Sequence, residues 1–90
     1  MNIYFSGIGG VGIGALASIA HSAGYKVFGS DQNPSLMTEE LLKKDIEVKI
    51  GKQDGSFLKD KFINNGIDWF VYTAALPKDH PELKTAQELG

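Results

Sequence analysis

The feature that most restricts this chain is the run Gly7-Ile8-Gly9-Gly10-Val11-Gly12, set directly behind the short apolar stretch Ile3-Tyr4-Phe5. A β-branched and aromatic stretch that ends at a glycine reads as a buried strand stopping at a tight turn. Beyond the glycines, Val11, Leu16, Ile19, Ala20 and Ala23 recur at helical spacing, and Gly24 stands where a C-cap glycine belongs. The pattern G-x-G-x-x-G at a strand-to-helix junction suits an anion. Gly7 permits the turn, Gly9 at the loop apex lets a phosphate approach the backbone, and Gly12 lets the helix pack close to the strand. Amides near Gly10 and Val11 then face the anion with the helix dipole behind them. The alternative is that the glycines serve close packing only. Each glycine inside a regular element costs about 0.5 to 1 kcal/mol against alanine, so an unused cluster would be a liability.

The rest of the chain repeats the strand-helix alternation. Lys26 to Gly29 reads as a second strand, Ser30 to Ser35 as a polar loop, and Thr38 to Lys44 as a second helix. Asp45 takes the post-helix position, where a left-handed residue is common. Glu47 to Ile50 alternates as an edge strand should, and Phe57, Leu58, Phe62 and Ile63 mark a third helix that stops at Asn64-Asn65-Gly66. Trp69 to Tyr72 reads as an apolar strand buried on both faces, and Pro81 to Leu89 as a last helix. This βαβαβαβα order predicts an α/β, Rossmann-like three-layer domain over residues 1–90, with a four-stranded parallel sheet in the order 3-2-1-4. The order reverses between strands 1 and 4. A ligand crevice is therefore expected between the loop after Phe5-Ser6 and the loop after Tyr72.

Composition narrows the chemistry. Ninety residues suffice for one domain, and 42% apolar with 22% charged residues is ordinary globular usage. The nine basic residues are all lysines and the net charge is -2, which argues against a nucleic-acid surface and removes any arginine clamp. With no cysteine there is no disulfide, thiolate metal site or cysteine nucleophile. No apolar run is long enough to span a membrane, and no basic segment precedes the first apolar stretch, so no membrane partner and a cytoplasmic location are expected.

Asp31 lies 19 residues after Gly12 (31 - 12), near the offset at which an acid accepts from a ribose hydroxyl. It can equally cap the turn Gln32-Asn33-Pro34. Ser30 can donate to the same sugar or to its own turn. On the other side of the crevice Thr73, Ala74 and Ala75 are small enough to approach whatever Gly9 holds, as they are for a plain crossover loop. His21 reads as a surface residue, and His80, just before Pro81, as a cap for the last helix. There is no carboxylate pair, metal-ligand cluster or nucleophile-base pair at suggestive spacing. The expectation is a binding module with no catalytic or metal residues of its own.

The sequence from Ile3 to Ala17, then Gly29-Ser30-Asp31, Tyr72-Thr73-Ala74-Ala75 and Pro81-Glu82-Leu83, resembles in that order the amino-terminal domain of the Mur ligases. The likeness is to the branch that adds L-alanine as the first amino acid; the branch that recycles murein tripeptide shares the pattern. The resemblance implies a domain for UDP-N-acetylmuramic acid, with the diphosphate on the amides of Gly9 to Gly12, the uridine side near Ser30 and Asp31, and Thr73, Ala74 and Ala75 as the opposite lip. It also implies ATP and magnesium on a separate central domain, against which this one packs, so that the fragment alone binds without turnover and holds no cofactor. Two positions depart from the family: Gly51 is followed by Lys52 in place of a histidine, and Asp45 replaces a glycine. Competing readings are an NAD(P)-binding domain of a dehydrogenase or regulatory subunit, although the full dinucleotide fold needs two halves, and a purely structural α/β domain.

Overall fold

In the computed structural model, which describes residues 1–73 and 76–89, the chain alternates β1 (Asn2–Ser6), α1 (Val11–Ser22), β2 (Lys26–Asp31), α2 (Leu36–Lys43), β3 (Glu47–Ile50), α3 (Ser56–Asn65), β4 (Trp69–Val71) and α4 (Pro81–Leu89). The four strands form one parallel sheet in the order β3-β2-β1-β4, as the element order predicts. Register places Ser6 beside Ser30 and Phe5 beside Val71. The ends of β1, β2 and β4 therefore converge, and the reversal of strand order lies above them.

Two apolar clusters sandwich the sheet. On one face Ile3, Phe5, Ile8, Val27 and Ile46 meet Ile13 and Ala17 of α1 and Leu41 of α2. On the other, Tyr4 and Phe28 meet Leu58 of α3, with Phe57, Phe70, Ala86 and Leu89 packed around them. Alternate residues of β1 thus feed opposite cores, as the two-residue repeat of a strand requires. Local chemistry sets the joints, and α2 starts at Leu36, two residues ahead of the expected Thr38. Ser35 and Thr38 form a reciprocal capping box at the start of α2. Asp45 does adopt the left-handed conformation, with φ 63°.

Two expectations about burial fail. Val11, Leu16 and Ile19 are 83%, 55% and 65% exposed, and α1 buries Ile13, Gly14 and Ala17 instead. The helix is apolar nearly all round, so spacing alone does not choose the inward face. Neither is Trp69-Phe70-Val71 buried on both sides: β4 is an edge strand and Trp69 is 59% exposed, leaving Leu16, Ile19, Tyr25, Trp69 and Val71 along a shallow apolar cleft. Ile63 is likewise exposed on α3. Among the described residues, no helix is long and apolar enough to cross a membrane.

Candidate functional site

The glycine run is a turn followed by a helix start, and its backbone divides into two parts. Gly7 has φ +79°, which a side chain would strain, and this lets the chain turn off the end of β1. The Gly7 and Ile8 amides both donate to the Ser30 carbonyl, at 2.8 and 3.0 Å. The Gly9 amide donates to Asp31 Oδ2 at 2.8 Å, and the Gly10 amide to the Gly7 carbonyl at 3.1 Å. Four successive amides are thus held by the protein itself. The next part differs. Gly10 is the N-cap of α1 and provides no side-chain cap, there is no acid in the first turn, and no described residue accepts from the amides of Val11 and Gly12.

This corrects the roles expected of three glycines. The Gly9 and Gly10 amides, expected to face an anion, donate here to Asp31 and Gly7. Gly9 is no open apex either: a Cβ there would stand 2.7 Å from Asp31 Oδ2 and 3.1 Å from Ser35 Oγ, so its missing side chain makes room for the start of α2. Close packing of the helix falls to Gly14 rather than Gly12. A Cβ on Gly14 would meet Met37 and come within 2.8 Å of the Ile8 carbonyl, whereas one on Gly12 would meet nothing within 4 Å. Gly12 is exposed at the helix mouth beside Val11. The amides of Val11 and Gly12 thus stand without an acceptor among the described residues, at the positive end of the helix dipole.

Asp31, half-buried at the end of β2, accepts from Gly9 through one oxygen and from the Asn33 amide, at 3.2 Å, through the other. It therefore caps its own turn and clasps the glycine loop as well. Each carboxylate oxygen has a second lone pair, which leaves acceptor capacity toward the crevice. Ser30 does neither thing expected of it. It is 1% exposed and gives its hydroxyl proton to Glu82 Oε1 at 2.6 Å. Thr73, half-buried, follows β4 two residues beyond Val71, as Gly7 follows β1 two residues beyond Phe5, so register brings both to the same end of the sheet. Ala74 and Ala75 lie outside the described residues. Lys52 is exposed. His80 caps α4, its Nδ1 accepting from the Glu82 amide at 3.1 Å.

The residue that sequence reasoning missed is Glu82. Its carboxylate, 1% exposed, accepts from Ser6 Oγ and Ser30 Oγ at 2.6 Å each through Oε1, and from Tyr4 Oη at 2.7 Å through Oε2. Gln53 Nε2 donates to Ser30 Oγ at 3.0 Å. Burial, and next the Glu82 charge, push the Tyr4 hydroxyl far above the ordinary tyrosine range, so it remains a donor. A signal was present: Tyr4, Ser6 and Ser30 place hydroxyls at the ends of two adjacent buried strands, and buried hydroxyls need an acceptor. Among the described residues, no group of three or more His, Asp and Glu side chains is placed to hold a metal ion.

The comparisons with known proteins agree with this geometry. A family model described as "Mur ligase family, catalytic domain" matches residues 2–90. The UDP-N-acetylmuramate–L-alanine ligase of Campylobacter jejuni is 43% identical over 89 residues, covering 99% of this chain and 19% of the relative. The enzyme of the same name from Lachnospira eligens is 41% identical over 90 residues, covering 100% of this chain and 18% of the relative. Among solved structures, the UDP-N-acetylmuramate-alanine ligase MurC of Thermotoga maritima superposes with a TM-score of 0.80 at 30% identity, over 99% of this chain and 19% of that one. A UDP-N-acetylmuramate:L-alanyl-gamma-D-glutamyl-meso-diaminopimelate ligase from Neisseria meningitides gives 0.78 at 26% identity, over 99% and 26% respectively. The chain thus spans about a fifth of the length of the curated relatives it matches. Matched along nearly its whole length in sequence and in fold, it belongs to the Mur ligase family.

Proposed function

We propose that residues 1–90 form the UDP-N-acetylmuramic acid-binding domain of a cytoplasmic, ATP-dependent ligase that joins L-alanine to that nucleotide sugar in peptidoglycan precursor synthesis. The observation that carries the reading is the uncapped start of α1, with the amides of Val11 and Gly12 open at the point where the strand order reverses. A diphosphate takes that seat through main-chain donors and the helix dipole, which suits a chain without arginine. Asp31, held rigid by Gly9, offers its remaining lone pairs to the nucleoside, and Thr73 with Ala74 and Ala75 lines the opposite lip. Ser30 contributes from beneath, through the Gly7 and Ile8 amides on its carbonyl, and not by touching the sugar.

The names of the relatives support the ligand. Both the L-alanine ligases and the tripeptide ligase are named for UDP-N-acetylmuramate, which supports a nucleotide-sugar role for the part they share with this chain. The higher identities belong to the L-alanine ligases, which favours L-alanine as the amino acid added. ATP and magnesium would supply activation of the carboxylate in such a ligase, on residues other than these, because the described residues offer no metal-ligand group. This domain's part is to bind and orient. In a titration with UDP-N-acetylmuramate, UDP and NAD followed by amide chemical shifts, the first two are expected to move Val11 and Gly12 strongly and NAD only weakly. Preference for NAD, or shifts that avoid the start of α1, would reject the reading.

A further inference from the structure

The buried acid beneath the glycine loop is an unexpected joint. Glu82 has no cationic partner: among the described residues the ion pair is Lys61 with Glu47, on the outside of the sheet. What holds the carboxylate is three hydroxyls, each with a single proton and each giving it to Glu82, with Gln53 Nε2 donating at the longer distance of 3.5 Å. Its place in the first turn of α4 adds the favourable end of that helix dipole. No buried polar side-chain atom among the described residues lacks a partner, so the cluster is satisfied as it stands.

The connections from this carboxylate lead directly to the candidate seat. Ser30, whose hydroxyl it takes, accepts the Gly7 and Ile8 amides on its carbonyl, and the next residue, Asp31, accepts the Gly9 amide. Ser6, whose hydroxyl it also takes, immediately precedes Gly7. Glu82 itself stands in the first turn of α4, nine residues after Thr73 (82 - 73). One carboxylate therefore stands where the glycine turn, the end of β2 and the start of α4 meet.

We propose that Glu82 is a positioning residue for the nucleotide-sugar cleft: by taking protons from Ser6, Ser30 and Tyr4 it sets where the glycine turn and Asp31 stand, and so governs affinity without touching the ligand. The proposal rests on the reading of the cleft given above. Displacing Ser30 would move its two amide contacts and, through the adjoining Asp31, a third, whereas loss of any one surface contact would move one.

The test compares wild type, Glu82→Gln and Tyr4→Phe on the ninety-residue chain, with UDP as ligand. Affinity is measured under conditions where circular dichroism shows each protein fully folded. Glu82→Gln keeps the shape but replaces one acceptor oxygen by a donor, and is expected to weaken UDP about tenfold, the scale of one charge-assisted hydrogen bond. In the ligand-free protein it should also shift the Gly7, Ile8 and Gly9 amide resonances, a signature that a loss of stability alone would not produce. Tyr4→Phe removes one donor at the far oxygen, and a loss of about threefold is expected from this milder change. It carries the test if Glu82→Gln does not fold. Unchanged affinity and unchanged Gly7 to Gly9 resonances in the folded variants would overturn the proposal while leaving the cleft reading intact. Failure of wild type to bind UDP or UDP-N-acetylmuramate would overturn both.

Discussion

Gly7 to Gly10 and Val11 to Gly12 belong to one continuous motif, yet they do opposite work. In the first segment every amide is spent on the protein: two on Ser30, one on Asp31 and one on Gly7. In the second, the amides of Val11 and Gly12 find no acceptor among the described residues, and the side-chain space around Gly12 is empty. The contrast divides this glycine run into two parts. The inner part is a rigid base whose glycines admit neighbouring protein atoms, and the outer part is the surface left free by that rigidity. A substitution in the base should therefore be read in stability first, and a substitution in the seat should weaken binding with no loss of stability.

The largest effect is expected just inside the helix. Gly14→Val would drive its side chain into Met37 and onto the Ile8 carbonyl, and a backbone oxygen cannot step aside cheaply. Such overpacking costs about 3 kcal/mol, which lowers the melting temperature by roughly 12 to 24 °C in a domain of this size. Thermal unfolding followed by circular dichroism checks it; a melting temperature within a few degrees of wild type would mean that α1 and α2 slide apart freely. Gly9→Ala comes next. Its Cβ would expel the Asp31 carboxylate from the Gly9 amide, a loss of about 2 kcal/mol for a hydrogen bond to a charged acceptor. Urea unfolding should show it as a lower midpoint at unchanged slope. An Asp31 environment unaltered by Gly9→Ala would separate the two residues and dissolve the base as a unit.

The base also has an alkaline weakness. Tyr4, pushed above the usual tyrosine range by burial and by Glu82, stays protonated in the folded chain where its unfolded counterpart ionises. Its folded affinity for the proton is raised, so its contribution is complete below the unfolded pKa and is lost as pH rises beyond it. Above about pH 10 the unfolded state binds fewer protons, and stability should fall by as much as ~1.4 kcal/mol per pH unit from this group. Unfolding midpoints measured between pH 9 and 11 should fall more steeply for wild type than for Tyr4→Phe. Parallel curves would exclude Tyr4 as the source.

How much of this was legible depended on whether the signal was local. The strand-turn-helix frame, the order of the sheet, the left-handed Asp45 and the His80 cap follow from short-range chemistry, and all are found. The inward face of α1 was not legible, because a helix carrying Val11, Ile13, Leu16, Ala17 and Ile19 is apolar in every direction and the choice falls to whichever face admits Met37 and Ile8. The division of the glycine loop was hidden for a similar reason. Which amides remain free depends on Asp31 folding back 22 residues to Gly9, and on Glu82 reaching 52 residues to Ser30. Spacing places Asp31 near a ribose; only the packed sheet shows that it holds the loop as well.

The smallest effect on stability is also the sharpest way to separate the two parts of the loop. Gly12 lies in the first turn of α1, where a Cβ has nothing within 4 Å and the backbone needs no left-handed angle. Alanine there removes glycine's excess freedom in the unfolded chain, so Gly12→Ala should stabilise the domain by about 0.5 to 1 kcal/mol. The same methyl group projects into the seat beside the open amides, and Gly12→Leu projects further. UDP affinity should therefore fall in the order wild type, Gly12→Ala, Gly12→Leu while the melting temperature does not fall with it. That opposition of stability and binding is what an anion seat at the helix mouth requires. If calorimetric titration showed Gly12→Leu binding UDP as tightly as wild type, the diphosphate would have to lie elsewhere, and the open amides of α1 would be no more than a helix end facing water.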